Sequence, residues 1–95
     1  MPGVARLNDI CTGHGCYPPR ENVQASPDVF CNGRGVHRQS DAWATHCWGI
    51  PCHGGSLASG SSTVIVNNLQ CGRCGDPVDC GSSVASCSSN TFAGG

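Results

Sequence analysis

Four side chains in this sequence could bind a metal ion, and three of them lie at matching positions. Each of the three follows an aspartate by four or five residues: His14 follows Asp9, His46 follows Asp41, and Cys80 follows Asp76. Imidazole and thiolate groups are ligands that zinc prefers, and a structural zinc site needs four of them in a tetrahedron. The matched spacing predicts that three equivalent loops bring these side chains to one ion.

The fourth ligand has to come from outside the repeated spacing. His53 is the best candidate, because it lies seven residues after His46 and the same loop can fold back. Three histidines and one cysteine leave no open coordination position for a substrate, so the pattern predicts a structural site for one zinc ion. Iron is a second choice, because it accepts the same ligands. Histidines scattered on polar loops without a metal are the alternative.

The elements that must position these ligands occur three times along the chain. One is an arginine followed three residues later by an aspartate: Arg6 and Asp9, Arg38 and Asp41, and Arg73 and Asp76. The other begins with a serine: Ser26 (SPDVFCNG), Ser61 (SSTVIVNN) and Ser88 (SSNTFAGG). Each of the first two serines lies 15 residues before the aspartate of the next Arg–Asp pair. Internal repeats dictate architecture, so we predict three similar hairpins about a pseudo-threefold axis.

Turn residues divide the repeats into short strands, and no helical periodicity of useful length is present. Two complete hairpins are predicted: 29–31 and 36–38 around Asn32-Gly33, and 63–66 and 71–73 around Asn67-Asn68. A third begins at 91–92, and segment 3–6 can supply its return strand, so the two termini are expected to pair. Three ligand-bearing segments between the hairpins are predicted to be irregular: 10–25, 42–60 and 77–87. The expected fold is therefore all-β and tapered, with the metal near its narrow end.

The composition limits the size of the core and the kind of partner. Leu, Ile, Val and Phe number 16 of 95 residues, which is low for a self-sufficient core, so a small domain over residues 1–95 needs a metal or disulfides. The chain has no lysine and a net charge of −1, which disfavours nucleic acid as a partner. It has neither a signal-like N-terminus nor an apolar run long enough to span a bilayer. We expect assembly in the cytoplasm.

The remaining cysteines and His37 have structural interpretations. Spacing alone would allow a four-cysteine zinc site at Cys71, Cys74, Cys80 and Cys87. The repeat register argues against it, because three of these cysteines and Cys31 occupy slots that hold small or apolar residues in the other copies; they are predicted to pack as free hydrophobic thiols. A disulfide among the loop cysteines is compatible with an oxidising setting: Cys11, Cys16, Cys47 and Cys52. His37 is predicted to be an outward strand side chain without a metal role.

The repeated Arg–Asp pairs also have a structural interpretation. An arginine at a strand end can hold the carboxylate of a neighbouring turn with two parallel hydrogen bonds. Each aspartate would then order the loop that presents a ligand. A catalytic role for these carboxylates is the alternative, but the sequence contains no recognisable Ser–His–acid arrangement. We therefore predict that the protein is not an enzyme.

The motifs resemble those of the PAAR-repeat family, in which a Ser-Pro-x-Val-Phe-x-Asn-Gly strand precedes a namesake motif, Gly-Asp and a metal-ligand loop. SPDVFCNG with Arg38, Asp41 and His46 is similar to this pattern. So are SSTVIVNN with Arg73, Gly75-Asp76 and Cys80, and the N-terminal GVARLNDICTGH. The copies depart from the family in lacking Pro-Ala-Ala, and Gly precedes Asp only at Gly75.

The resemblance implies a conical β-protein that caps the trimeric β-helical spike of a contractile injection machine, in a phage tail or a type VI secretion system. Family members hold zinc near the vertex with three histidines and one cysteine, which correspond to His14, His46, His53 and Cys80. The base would bind the blunt end of the spike by strand addition. The tip would touch a target membrane transiently, without a small-molecule substrate or a fused toxin domain.

The sequence is also compatible with two other classes of protein. A secreted, disulfide-stapled binding module or toxin would fold without metal and collapse in reductant. A small zinc hydrolase would need an open coordination position on its metal.

Overall fold

The fold consists of short β-hairpins. The computed structural model describes residues 1–49 and 51–95, and this part of the chain contains no helix and hence no helix able to cross a membrane. Six strands form three separate antiparallel hairpins: β1 (Phe30–Cys31) with β2 (Arg34–Gly35), β3 (Ala42–Cys47) with β4 (Cys52–Ser56), and β5 (Ile65–Val66) with β6 (Leu69–Gln70). The body measures 38 × 24 × 21 Å. The predicted all-β fold of small hairpins is confirmed.

The first and last of these hairpins turn at the predicted asparagine dipeptides. Asn32 and Gly33 have φ values of 55° and 75°, and Asn67 and Asn68 have 51° and 65°, as a two-residue hairpin turn requires. The return strands β2 and β6 start directly after the turns, earlier than the predicted 36–38 and 71–73. The prediction was wrong because a two-residue turn pairs the flanking residues at once.

A further strand pair, the third of the repeat, joins the two chain termini, as predicted. We call β1–β2, β5–β6 and this terminal pair the repeat hairpins. Gly3 bridges Phe92 in antiparallel fashion. The Val4 amide donates to the Thr91 carbonyl at 2.9 Å, and the Ala93 amide donates to the Pro2 carbonyl at 3.0 Å. The pseudo-threefold arrangement therefore closes on itself.

A buried serine begins each of the three repeat hairpins. The hydroxyl oxygens of Ser26, Ser61 and Ser88 each accept the amide three residues later, at 2.9, 2.9 and 3.0 Å. Such local bonds from serine favour a turn over a regular strand. The repeated serine is thus the start signal of the hairpin.

Three central residues are linked in a closed ring of backbone hydrogen bonds. The Ala5 amide donates to the Gly72 carbonyl at 2.8 Å, the His37 amide to Ala5 at 3.0 Å, and the Gly72 amide to His37 at 2.8 Å. These residues are equivalent in the repeat. The ring therefore defines the pseudo-threefold axis, and we call it the hub.

The core consists of two apolar clusters built from equivalent residues. The hairpin cluster contains two equivalent triplets: Val4, Val36 and Cys71, and Cys31, Val66 and Ala93. The second cluster carries the ligand-bearing segments: Ala5, Cys11, Trp43, Leu57, Val78 and Val84. Cys31 and Cys71 pack as predicted for free thiols, and burial raises the pKa of Cys71 to about 11, so its thiol stays neutral.

The segment 42–60, predicted to be irregular, contains the longest hairpin of the described residues. β3 and β4 pair antiparallel from Ala42 and Ser56 to Cys47 and Cys52, with one irregularity between Trp43 and His46. The sequence pattern did not predict this hairpin, because β4 has the sequence Cys-His-Gly-Gly-Ser. Its glycines stand where β-branched residues are usual in a strand. It has no counterpart in the other two repeats.

The structure also corrects the prediction for Cys74 and Cys87, which form a disulfide with Cα atoms 5.7 Å apart. The equivalent positions in the other copies hold residues that cannot form a disulfide. Comparison of the copies therefore could not predict this bond. Among the loop cysteines, Cys47 and Cys52 form the second disulfide, whereas Cys11 and Cys16 are free.

Each repeated arginine holds its aspartate with two parallel hydrogen bonds, as predicted. Their lengths are 2.9 and 3.0 Å for Arg6, 2.8 and 2.8 Å for Arg38, and 3.0 and 2.9 Å for Arg73. These side chains are 15%, 11% and 13% exposed. Fork-shaped pairing of this kind adds directional specificity to the charge attraction.

The third nitrogen of each guanidinium reaches the turn of the next hairpin. Nη1 of Arg6 donates to Asn32 Oδ1 at 3.1 Å, Nη1 of Arg38 donates to Asn67 Oδ1 at 3.0 Å, and Nη1 of Arg73 donates to the Gly94 carbonyl at 3.0 Å. The three acceptors are equivalent in the repeat. Each arginine therefore clamps two successive copies together.

His37 is fully buried, which contradicts the predicted outward orientation. Its Nδ1–H donates to the Gln24 carbonyl at 2.8 Å, and its ring meets the edge of Trp43 at 5.2 Å between centroids. The prediction was wrong because the return segment enters the hub, where a large side chain fills space left by its small counterparts Ala5 and Gly72. Burial, together with nearby Arg38, lowers the pKa of His37, although the Gln24 carbonyl, Asp41 and Asp9 oppose this.

Mild acid is expected to destabilise the protein through His37. The pKa of His37 in the folded state lies below the unfolded value of 6.5. The contribution of neutral His37 to the free energy of unfolding is therefore complete above pH 6.5. It is lost as the pH falls below that value, by at most about 1.4 kcal/mol per pH unit. His37→Asn keeps a donor for the Gln24 carbonyl and cannot titrate. Urea unfolding at about pH 7 and about pH 5.5 should show a smaller acid-induced loss for the variant than for the wild type. Equal losses would contradict this role.

Candidate metal centre

The structure brings all four predicted ligands together. One nitrogen or sulfur atom from each of His14, His46, His53 and Cys80 lies within 4.8 Å of the others. His53 Nε2 lies 2.9 Å from His14 Nε2 and 2.7 Å from His46 Nε2. The ligand nitrogens of a tetrahedral zinc lie roughly 3.4 Å apart, given bonds of about 2.0–2.1 Å. The group therefore has the composition and nearly the size of a site that could hold one metal ion with four ligands.

Two of the candidate ligands come from the hairpin that the sequence did not predict. His46 in β3 and His53 in β4 are directly opposite each other in the strand register. Cross-strand partners lie close enough for their side chains to meet. The loop that was expected to fold back is thus a regular antiparallel ladder at this point.

The other two candidate ligands lie in tight turns. His14 and Tyr17 exchange backbone hydrogen bonds of 3.2 and 2.8 Å. Cys80 lies in a turn closed by the Gly81 amide, which donates to the Val78 carbonyl at 3.0 Å. Cys80 also packs against the second cluster. The ligand turns are therefore tied to the core.

Neighbouring groups orient the ligand atoms. His46 Nδ1–H donates to the Pro18 carbonyl at 2.8 Å, which leaves Nε2 free to face the other histidines. The Tyr17 ring packs on three imidazoles, with centroids 4.9, 5.0 and 4.3 Å from those of His14, His46 and His53. Such outer contacts commonly set the orientation of metal ligands.

The charge state of His53 suits the binding of a cation. Partial burial, followed by the neighbouring imidazoles of His46 and His14, lowers the pKa of His53. A neutral imidazole is the form that binds a metal.

In the alternative four-cysteine site, Cys74 and Cys87 would have to be thiolates, but they are bonded to each other. That alternative is excluded in this oxidation state.

Arg20 is a site residue that the sequence did not reveal. The side chain is 6% exposed and makes no ion pair among the described residues. Its donors reach one carbonyl, one hydroxyl and two sulfurs: Ala44 O at 2.7 Å, Ser82 Oγ at 3.2 Å, Cys11 Sγ at 3.1 Å and Cys80 Sγ at 3.4 Å. Its guanidinium carbon lies 5.3 Å from the centre of the Trp43 ring. The only sequence signal is that Arg20 lies outside the repeat.

Replacing Arg20 by lysine is expected to lower the free energy of unfolding by about 1–3 kcal/mol. Lysine keeps the charge but cannot serve these divergent acceptors with a rigid fork. Arg34→Lys is the matched control, because that side chain is 37% exposed and should change stability little. Urea unfolding of both variants with zinc present measures the difference. Equal small effects would show that the Arg20 contacts carry no stability.

Comparison with known proteins gives one clear result. A family model described as the PAAR motif matches residues 12–86, which are 75 of the 95 residues and include the four candidate ligands. None of the curated proteins matches the chain. The PAAR motif is the family of spike-tip proteins of contractile injection systems. With its three hairpins around one hub and most of its length matched, this chain belongs to the PAAR-motif family.

Proposed function

We propose that this protein is a structural tip that caps and sharpens the trimeric β-helical spike of an injection machine and helps it pierce a target envelope. The machine is a phage tail or a type VI secretion system. A single chain with three equivalent hairpins can present three equivalent surfaces to a partner with true threefold symmetry. Family membership and the exposed surface of the repeat hairpins support this function.

Each of the three repeat hairpins exposes a large apolar side chain at the same repeat position. Phe30, Ile65 and Phe92 are 62%, 54% and 51% exposed, and each lies four residues after the starting serine. Each precedes a buried residue of the hairpin cluster, so strand alternation points it away from the core. Exposed apolar surface repeated at three equivalent sites marks a contact surface. We call these residues the apolar triad.

We also propose that His14, His46, His53 and Cys80 bind one structural zinc ion. Zinc supplies a rigid, redox-inert centre that takes four nitrogen and sulfur ligands. His46 and His53 would hold the β3–β4 hairpin, His14 the turn that includes Tyr17, and Cys80 the turn after Val78. These segments pack on the second cluster, whereas the hairpins of the apolar triad pack on the hairpin cluster. Zinc would therefore stiffen the part of the body remote from the spike.

Binding to the purified trimeric spike of the same machine tests the capping function. We expect one chain per spike trimer in multi-angle light scattering. Phe30→Asp with Phe92→Asp should abolish the complex, because both changes place a charge in an apolar contact. Trp48→Asp is the control, since Trp48 is 58% exposed but lies outside the triad. Failure of the wild type to bind, or equal loss in the control, would refute the proposed contact.

A secreted, disulfide-stapled binding module is the second candidate, and the two disulfides are the observation that favours it. It differs from the first in what holds the fold together. A disulfide-stapled module would keep its structure in a chelator and lose it in reductant. The spike tip is expected to lose far more stability in the chelator.

A further inference from the structure

One disulfide lies directly beside two of the candidate ligands. In the β3–β4 ladder the His46–His53 pair is followed at once by the Cys47–Cys52 pair, which is disulfide-bonded. Successive strand residues point to opposite faces. The two sulfurs therefore lie on the face opposite the histidine rings, and both cysteines are exposed. A thiol reagent can reach this bond from solvent without displacing a ligand.

The ladder around the two histidines is weak without that bond. The register is irregular between Trp43 and His46, so the ligand pair is separated from the regular pairs at the start of the hairpin. β4 places Gly54 and Gly55 directly after His53, and glycine weakens a strand because it loses more entropy on ordering. Beyond the cysteines, the Trp48 amide donates to the Pro51 carbonyl at 3.0 Å. The disulfide is the covalent constraint on this end of the hairpin.

We propose that the Cys47–Cys52 disulfide positions His46 and His53, and thereby couples the metal affinity of the site to thiol oxidation. This inference rests on the proposed metal site. A dithiol reductant would transfer two electrons and two protons, so that the S–S bond breaks, two thiols form, and the reductant becomes a disulfide. The hairpin end then gains conformational freedom, which metal binding must remove again. The reduced protein therefore binds the metal more weakly than the oxidised protein.

The second disulfide provides a matched comparison. Cys74 and Cys87 are 13 residues apart in sequence, and neither is next to a ligand along the chain or in a strand register. Cys74 packs against the second cluster. Its removal should lower overall stability without acting on the spacing of His46 and His53. Both bonds can be removed by paired serine substitutions of the same size.

Zinc affinity in competition with a chromophoric chelator tests the proposal. Oxidised wild type, Cys47→Ser with Cys52→Ser, and Cys74→Ser with Cys87→Ser are compared, with near-ultraviolet circular dichroism to verify folding. We expect at least about tenfold weaker binding for the Cys47/Cys52 pair, and a change of less than about threefold for the Cys74/Cys87 pair. Wild type reduced by a water-soluble phosphine, which becomes its oxide by taking oxygen from water, should resemble the Cys47/Cys52 variant.

The outcomes separate this inference from the function on which it rests. Absence of zinc binding by the oxidised wild type would refute the proposed metal site and the coupling together. Zinc bound equally tightly by both paired variants, or by reduced and oxidised wild type, would refute the coupling alone. The absorption spectrum of the cobalt-substituted protein gives a second readout, since a changed ligand geometry alters the visible bands in the Cys47/Cys52 variant and leaves them unchanged in the control.

Discussion

Removing the metal with a chelator is expected to lower the free energy of unfolding by on the order of 10 kcal/mol and to loosen one end of the molecule first. The four candidate ligands come from three segments that meet at the small second cluster and at the Arg20 side chain. The hub and the hairpin cluster are held by backbone hydrogen bonds and packing that involve none of these ligands. Backbone amides of β3 and β4 should therefore exchange with solvent well before those of the hub.

Hydrogen exchange with and without the chelator measures this difference, together with elemental analysis of the purified protein. One zinc per chain is expected. His14→Ala combined with Cys80→Ala should lose the metal and reproduce the chelated exchange pattern. His37→Asn is the control, because that histidine lies in the hub and outside the ligand group. A chelator that leaves exchange and stability unchanged would contradict a structural metal.

Sequence reasoning succeeded where the three copies share one environment. Because His14, His46 and Cys80 occur at nearly constant distances after equivalent aspartates, the loops that carry them converge as the spacing indicated. The same logic predicted the pairing of the termini. Threefold equivalence is a strong constraint, because the residue type in one copy indicates the environment of the equivalent positions in the other two.

The predictions failed where the chain departs from the repeat. His37 fills a hub slot whose other occupants are Ala5 and Gly72, so its counterparts could not reveal a large buried ring. The β3–β4 hairpin exists in one copy only within the described residues, and its strands lack β-branched residues apart from Thr45. Arg20 acts through contacts with residues distant in sequence, which no local pattern encodes.

Arg6→Ala is expected to lower the free energy of unfolding by about 3–5 kcal/mol, because it leaves a buried carboxylate without its main partner. Asp9 is 2% exposed. Burial raises the pKa of Asp9, but hydrogen bonds from the side chain and backbone of Arg6 and from Ser86 outweigh this and lower it. The same substitution also removes the contact with Asn32 in the next hairpin turn. Urea unfolding at neutral pH measures the loss.

Arg34 provides a control for Arg6→Ala, because it is a second arginine that contacts the same Asp9 carboxylate. Arg34 Nη2 lies 3.3 Å from Asp9 Oδ1, but the Arg34 side chain is 37% exposed. Arg34→Ala is therefore expected to cost about 1 kcal/mol or less. A loss as large as that of Arg6→Ala would show that charge near Asp9, rather than the buried fork of Arg6, stabilises the turn.

The pH dependence of the Arg6→Ala effect distinguishes loss of charge compensation from loss of packing. In the wild type the pKa of Asp9 lies below the unfolded value of 3.8, so its contribution is complete above that value and disappears as the pH falls through the folded-state pKa. In Arg6→Ala, Asp9 keeps only the weaker contacts with Arg34 and Ser86, so burial favours the neutral carboxyl more than in the wild type. The difference in stability between variant and wild type should then shrink as acid protonates Asp9 in both proteins. A difference that stays constant with pH would mean that Arg6 stabilises the protein through packing and its hydrogen bond to Asn32, and not by compensating the charge of Asp9.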